Sequence, residues 1–344
     1  MPLLILILAK SVTGQVPTYQ LDTILPAPTC TSVDLSPDGT KICTEIKYAD
    51  WDHGYRIFDA ITHDIIRECH LSPCCPWRGL FSSDNAYLWT SIYYGGYLDK
   101  IDVSTCEVVT RLDLGSWTFG LAFDSQRRYL YVGENVPGGA GAIGSLQVVD
   151  TSTEQVVGRV TLNGQPGECI VVDPGDEFVY LVSHNPGMAT LYKIRTSDLS
   201  EVSSALPDRE GDADPGISVS PDGATVYVTH ADYDLVYAID TATLSIVNTW
   251  SIESVESFFV SPDGTHALVT GYPSPDIQVF DLLSETVVQT IPVDVSSTDQ
   301  YPHWTRPYWD TKKGKVYVNL PTRDGGVAVL SISEPVEPDI DVSP

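Results

Sequence analysis

Four histidines, His53, His184, His230 and His303, fall in short segments between runs of β-branched and aromatic residues. Each carries a side chain whose charge changes near neutral pH. Trp51, Trp77, Trp117 and Trp304 recur in segments of the same kind, with Tyr93 and Tyr272. Such rings can build a flat-walled pocket for an unsaturated or ring-shaped ligand, oriented by a few polar groups. Arg78 stands beside Trp77, and Arg306 follows Trp304 by two positions. In so acidic a chain each Arg is either a partner for nearby carboxylates or a clamp for an anionic or carbonyl-bearing ligand. Glu168 and Glu256 offer carboxyls able to activate water or abstract a proton. We therefore expect His303, Arg306, His230 and His184 as the catalytic set. Trp51, Trp77, Arg78, Trp117, Tyr93, Trp304, Tyr272, Glu168 and Glu256 form the expected substrate-binding set. For each ring the competing reading is packing between neighbouring elements, and for each histidine a solvated or packed imidazole. The sequence leaves both open.

These residues are far apart in the chain, so only the fold can gather them. Six segments, IFDAITHDIIRECHL, KIDVSTCEVVTRLDL, VVDTSTEQVVGRVTL, KIRTSDLSEVSSAL, AIDTATLSIVNTWSI and VFDLLSETVVQTIPV, share one design: a β-branched run, an Asp-Thr-like turn and a second β-branched run. Their anchors Asp59, Asp102, Asp150, Arg195, Asp240 and Asp281 are spaced by 43, 48, 45, 45 and 41 residues. The Asp anchors suit turns whose backbone amides need an acceptor, which is a structural role. A second register repeats SPDG-type turns, as in VDLSPDGTKI, VSPDGATVYVTH and VSPDGTHALVTG. There Pro and Gly supply the backbone freedoms of a hairpin. Together the registers give four strands per unit of about 45 residues, the length of a propeller blade. Seven units fit. The last lacks its fourth strand, and residues 19 to 25 (YQLDTIL) read as a displaced outer strand that completes it and removes the open edges. The expected fold is all-β: a seven-bladed β-propeller of four-stranded antiparallel blades, closed by the N-terminal strand in the last blade.

VYVTH at 226 to 230, VYVNL at 316 to 320, the SPDG turns and AIDTATLSIV make the chain resemble the YVTN-repeat seven-bladed β-propellers over about residues 19 to 333. That wider superfamily is similar in architecture to lactonase-like hydrolases, quinoprotein-amine-dehydrogenase-like subunits, surface-layer proteins and cofactor-free lyases and cyclases. The resemblance implies the fold and says almost nothing of the activity. In such rings the connections into each innermost strand, and those between second and third strands, meet at one end of the channel. This crown is where the His, Trp and Arg residues named above are expected to converge. Chemistry there matches a cofactor-independent enzyme, with cyclisation or cycloaddition of an unsaturated natural product as the leading reading, as in hetero-Diels-Alderases of propeller architecture. The alternatives are a lactonase-type hydrolase or sugar-acid lyase, and a non-catalytic secreted propeller that binds a partner.

Several classes are disfavoured. With 19 Lys and Arg against 46 Asp and Glu the net charge is −27, which repels phosphate backbones and anionic membranes. The chain lacks GxSxG, HExxH, P-loop and CxxCH motifs and metal-spaced CxxC pairs, and the glycine run at 138 to 144 has no helix behind it. No cofactor or metal is expected, and the acidic loop at 208 to 214 is not spaced as a calcium-binding loop. The expected partner is a small molecule, and the expected state is a monomer without nucleic acid or membrane attachment in its mature form. Residues 3 to 9 form an apolar run followed by small and polar residues to Gly14, read as a signal peptide at 1 to 14 despite the absence of a basic start. A single propeller at 15 to 333 and an acidic, Pro-rich tail at 334 to 344 complete the organisation. The seven cysteines, Cys30, Cys43, Cys69, Cys74, Cys75, Cys106 and Cys169, fit the secretory pathway and disulfide formation. The odd count leaves at least one thiol unpaired, and the pairing is not readable from sequence.

Overall fold

The computed structural model describes residues 16–27, 32–49, 52–71, 76–136, 143–185, 188–207, 216–271, 274–294, 307–320 and 325–333. The proposed signal peptide and tail lie outside them. The strands form seven separate four-stranded antiparallel sheets, six of which run in sequence order from inner to outer strand. Blade 1 spans the strands from Val33–Leu35 to Ile65–Leu71, and blade 2 those from Pro76–Phe81 to Val108–Asp113. Blade 3 runs from Trp117–Phe123 to Gln155–Asn163, and blade 4 from Gln165–Val172 to Glu201–Ala205. Blade 5 runs from Ile217–Val219 to Ile246–Ser251, and blade 6 from Ser257–Val260 to Thr286–Ile291. In blade 7 the N-terminal strand Thr18–Pro26 is the outer member, antiparallel to Gly326–Ser333. The ring is a seven-bladed β-propeller closed as the repeat arithmetic requires.

The core lies between blades. Second strands such as Tyr87–Ile92 are covered on both faces and read as continuous runs, whereas outer strands such as Val108–Asp113 are largely exposed. Seven apolar clusters among the described residues correspond to the seven blade junctions. Phe81, Leu88 and Ile101 meet Tyr55 and Ile57 between blades 1 and 2, and Tyr317 and Val329 meet Leu35 and Phe58 between blades 7 and 1. The last contact closes the circle. Tyr19, in the N-terminal strand, ties blade 7 to blade 6: its phenol bonds the buried His266 ring, and its backbone N–H donates to Gln289 Oε1 at 3.0 Å.

The turns behave as their residues dictate. Asp59 Oδ1 accepts the amides of Ile61 and Thr62 at 2.7 and 2.8 Å, and Asp102 and Asp240 repeat the pattern. All three carboxyls are held below the usual range, Asp59 by these amides and Asp102 and Asp240 first by the hydroxyls of Ser104 and Thr243 and then by the amides. In the SPDG turn Gly39 adopts φ +70° and donates its N–H to Ser36 O at 2.7 Å. A disulfide joins Cys69 in the outer strand of blade 1 to Cys106 in the outer turn of blade 2, 37 residues apart. Cys43 and Cys169 are buried, while Cys30, Cys74 and Cys75 lie outside the described residues. No helix among the described residues is long and apolar enough to cross a membrane.

Candidate functional site

The alternation of strand residues decides which crown side chains can meet. In blade 2, Trp89 packs towards blade 3, so Ser91 and Tyr93 face the same way. The Ser91 hydroxyl donates to Phe119 O at 2.7 Å, and Thr118 bonds Ile92 O and Tyr97 O, both at 3.0 Å, fixing the inner strand of blade 3 against blade 2. The turn after Tyr94 approaches so closely that a Cβ on Gly96, at φ +66°, would lie 2.7 Å from Ser116 O. This junction stacks five rings. Tyr93 is central, with centroids 5.3 Å from Trp77, 5.3 Å from Trp117, 4.5 Å from Phe119 and 4.1 Å from Tyr94. Phe119 is buried, Trp77, Tyr93 and Trp117 are half-buried, and Tyr94 is 58% exposed. The rings therefore pack into one another and also present one contiguous aromatic surface at the crown.

Trp77, Arg78 and Trp117 were expected on connecting loops. They instead belong to the inner strands Pro76–Phe81 and Trp117–Phe123, which begin earlier than expected. Each strand is bulged near its crown end, between Pro76 and Arg78 and between Thr118 and Leu121, and such an extra residue re-aims the side chains beside it. Arg78 accordingly lines the central channel. It borders a cavity of about 280 Å³ with Asp34, Leu80, Arg127 and Tyr308. Arg127 occupies the left-handed turn position that blades 1, 5 and 6 give to Gly, at φ 53°. From there it bonds Asp34 Oδ2 at 3.1 Å and Phe81 O at 2.6 Å, tying blades 1, 2 and 3 across the channel.

On the far side of the ring, Glu256 immediately precedes the inner strand Ser257–Val260 of blade 6. Its N–H donates to Thr270 O at 2.9 Å and its carbonyl accepts the Thr229 hydroxyl at 2.7 Å, so the backbone is fixed. The side chain is 6% exposed, and its carboxylate has no hydrogen bond or ion pair among the described residues. Burial alone pushes this carboxyl up to about 7. His230 ends the second strand of blade 5, with its ring centroid 4.8 Å from that of Tyr233 in an edge-on arrangement and a buried Nδ1 that has no partner among the described residues. Tyr227 and Thr229 face blade 6, whereas Val226 and Val228 face blade 4. His230 follows the second set, so the pleat separates it from Glu256.

Of the other expected site residues, Trp51, Tyr272, His303, Trp304 and Arg306 lie outside the described residues. For Glu168 and His184 the backbone alone is described, in the strands Gln165–Val172 and Phe178–Asn185 of blade 4. Glu45 was missed by the sequence reading. It is buried, with Oε1 3.8 Å from His53 Nδ1 on the adjoining strand of blade 1. The signal was an acid at an inward position of the strand Lys41–Ala49. Glu134, also at the crown, is occupied structurally by Arg159 at 2.5 Å and Gln147 at 3.1 Å. Among the described residues no group of three or more His, Cys, Asp or Glu is placed to hold a metal ion.

No family model and no curated protein matches the chain. Among solved structures it is similar to hydrazine synthase of Kuenenia stuttgartiensis, with a TM-score of 0.72 and 13% identity over 92% of this chain and 97% of that one. It is also similar to the β-propeller domain of Cps50 (Swd1) from Myceliophteria thermophila, with a TM-score of 0.67 and 11% identity over 92% and 100% of the two chains. At these identities the likeness establishes the seven-bladed fold alone.

Proposed function

We propose that the crown is the site of a cofactor-independent enzyme acting on a small unsaturated molecule, with Glu256 as general acid. The observation that carries this is the Glu256 carboxyl, buried, without a partner among the described residues and raised to about 7 by burial alone. A carboxyl so placed is about half protonated at neutral pH and can donate to a substrate carbonyl, lowering the barrier to cyclisation or cycloaddition. The aromatic surface of Trp77, Tyr93, Tyr94 and Trp117 would hold a flat, conjugated substrate. Lactone hydrolysis or sugar-acid elimination would use the same carboxyl in its ionised form as base. The disulfide Cys69–Cys106 supports residence in the secretory pathway, and the repeat motifs support kinship with YVTN-repeat propellers.

The pH–rate profile separates the readings. Conjugated carbonyl compounds and lactones would first be screened for quenching of tryptophan fluorescence, then binders assayed for turnover from pH 5 to 9. An acid role predicts a rate that falls above about pH 7, and loss of about 10² in kcat for Glu256→Gln. A rate that rises through the same pH supports the lactonase or lyase reading. Turnover unaffected by Glu256→Gln overturns both, and binding lost in Trp117→Ala without turnover of any binder favours a non-catalytic propeller.

A further inference from the structure

The repeat also breaks at the opposite end of the ring. Aligned on the outer turns, Thr110, Gly158, Ser203, Asn248 and Gln289 occupy one position of the outer strand, and Glu154, Leu199, Leu244 and Glu285 occupy the left-handed residue of the turn. These positions meet across blade junctions. The Thr110 hydroxyl donates to Glu154 at 2.6 Å, and the Asn248 amide to Glu285 at 2.7 Å. Gln289 clasps the backbone of Tyr19 at the last junction. Between blades 3 and 4 the pair is Gly158 and Leu199, which cannot form such a clasp. A Cβ on Gly158 would lie 2.5 Å from Leu199 Cδ1. Where the junctions of Thr110 and Asn248 are bridged, this one holds a cleft of about 570 Å³, within the size range of small-ligand sites.

The chemistry of the cleft is one-sided. Val148, Val157, Leu199 and the Tyr129 and Tyr131 rings give it apolar walls, Asp124, Asp176 and Asp198 line it, and none of its lining residues is basic. Ser125 engages both Asp176 oxygens, and the amides of Arg128 and Tyr129 reach Asp124 Oδ1 at 2.7 and 3.0 Å. Asp124 Oδ2 has no hydrogen bond among the described residues. Burial, with the nearby Asp176 charge, pushes the Asp124 carboxyl up. Tyr131 is 3% exposed, yet its hydroxyl has no hydrogen bond among the described residues and is coupled electrostatically to Asp124 and Asp176. The hydroxyl is not among the fully buried polar atoms, so it faces the open space of the cleft, where a bound donor or acceptor can reach it. A cation donating to Asp124 Oδ2, with its next polar atom at the Tyr131 hydroxyl, would satisfy both.

The geometry points to this cleft as a binding site for a small organic ammonium ion with an apolar body. The ammonium sits at Asp124 and Tyr131, and the body lies against Val148, Val157 and Leu199. The site is at the turn end of blades 3 and 4, away from the crown, and does not depend on the function proposed there.

Isothermal titration of the full chain with phenethylammonium and with neutral 2-phenylethanol tests it. The ammonium should bind at least about tenfold more tightly than the alcohol, the ratio expected of one charge-assisted hydrogen bond. Asp124→Asn should remove that advantage. Tyr131→Phe should weaken ammonium binding about threefold or more. Gly158→Thr, which restores the residue of blade 2, should abolish it by filling the cleft, while Glu256→Gln leaves it unchanged. Thermal unfolding of each variant checks the fold, and Tyr131→Phe and Gly158→Thr test the site even where Asp124→Asn disturbs its turn. Absence of phenethylammonium binding, equal affinity for the alcohol, or wild-type affinity in Tyr131→Phe and Gly158→Thr overturns the assignment.

Discussion

Replacing Glu256 by glutamine should stabilise the protein in a strictly pH-dependent way. Glu256 is 6% exposed, and its carboxyl is shifted from 4.5 to about 7 by burial. One pKa unit corresponds to about 1.4 kcal/mol, so the shift amounts to about 3 kcal/mol. A raised carboxyl means that between pH 4.5 and about 7 the folded state holds a proton that the unfolded state has lost. Unfolding free energy therefore falls with rising pH in that window, by up to about 1.4 kcal/mol per unit. Below 4.5 both states are protonated and the favourable contribution is complete; above about 7 both are ionised and it is gone. The glutamine side chain of the variant does not titrate, while every other group is common to both proteins and cancels in the difference. Urea unfolding of both proteins at pH 4.5, 6 and 8, at fixed ionic strength, measures that difference. It should grow by about 3 kcal/mol in favour of the variant from the lowest to the highest pH. A difference that stays constant across the series would refute the claim that burial raises the Glu256 carboxyl.

Three further outcomes are expected. Arg127→Ala leaves Asp34, 4% exposed in its side chain, without its cation in the channel, and should cost about 3–5 kcal/mol in chemical denaturation. The double variant Arg127→Ala/Asp34→Ala should recover part of that loss, and simple additivity would show that the pair is not coupled. Replacing both Cys69 and Cys106 by Ala opens a loop closed across 37 residues and should lower unfolding free energy by about 2–4 kcal/mol, with a smaller effect of reductant on the melting temperature of the variant than on that of the parent. Tyr19→Phe removes the phenol from His266 and should cost about 1 kcal/mol in urea unfolding, whereas deletion through Pro26 should uncover the strand Gly326–Ser333 and drive aggregation detectable by light scattering.

Much of the architecture was legible because it repeats. Asp59, Asp102 and Asp240 mark turns whose hydrogen bonds are local, and Gly39 and its counterparts mark hairpins, so residue type reports conformation directly. The missing fourth strand of blade 7 and the spare strand at the N-terminus follow from counting, since an unpaired edge must find a partner. The candidate site was only partly legible. The structure gathers Trp77, Tyr93 and Trp117 at one junction, but the bulges that turn Arg78 into the channel have no marker in the sequence.

The chain by itself determined its blade count, its turns, its ring closure and its acidic surface, because each depends on contacts a few residues apart or on a period. Tertiary structure alone decided that Tyr93 sits among four rings, that Cys69 meets Cys106, and that the pleat of blade 5 turns His230 away from blade 6, to which Glu256 belongs. It also decided that Glu256 is buried without a partner among the described residues while Glu134 is held by Arg159. The physical reason is that burial and partnership are set by residues from other blades, brought together by the curvature of the ring. A carboxyl's chemistry depends on that surrounding, and no spacing along the chain encodes it.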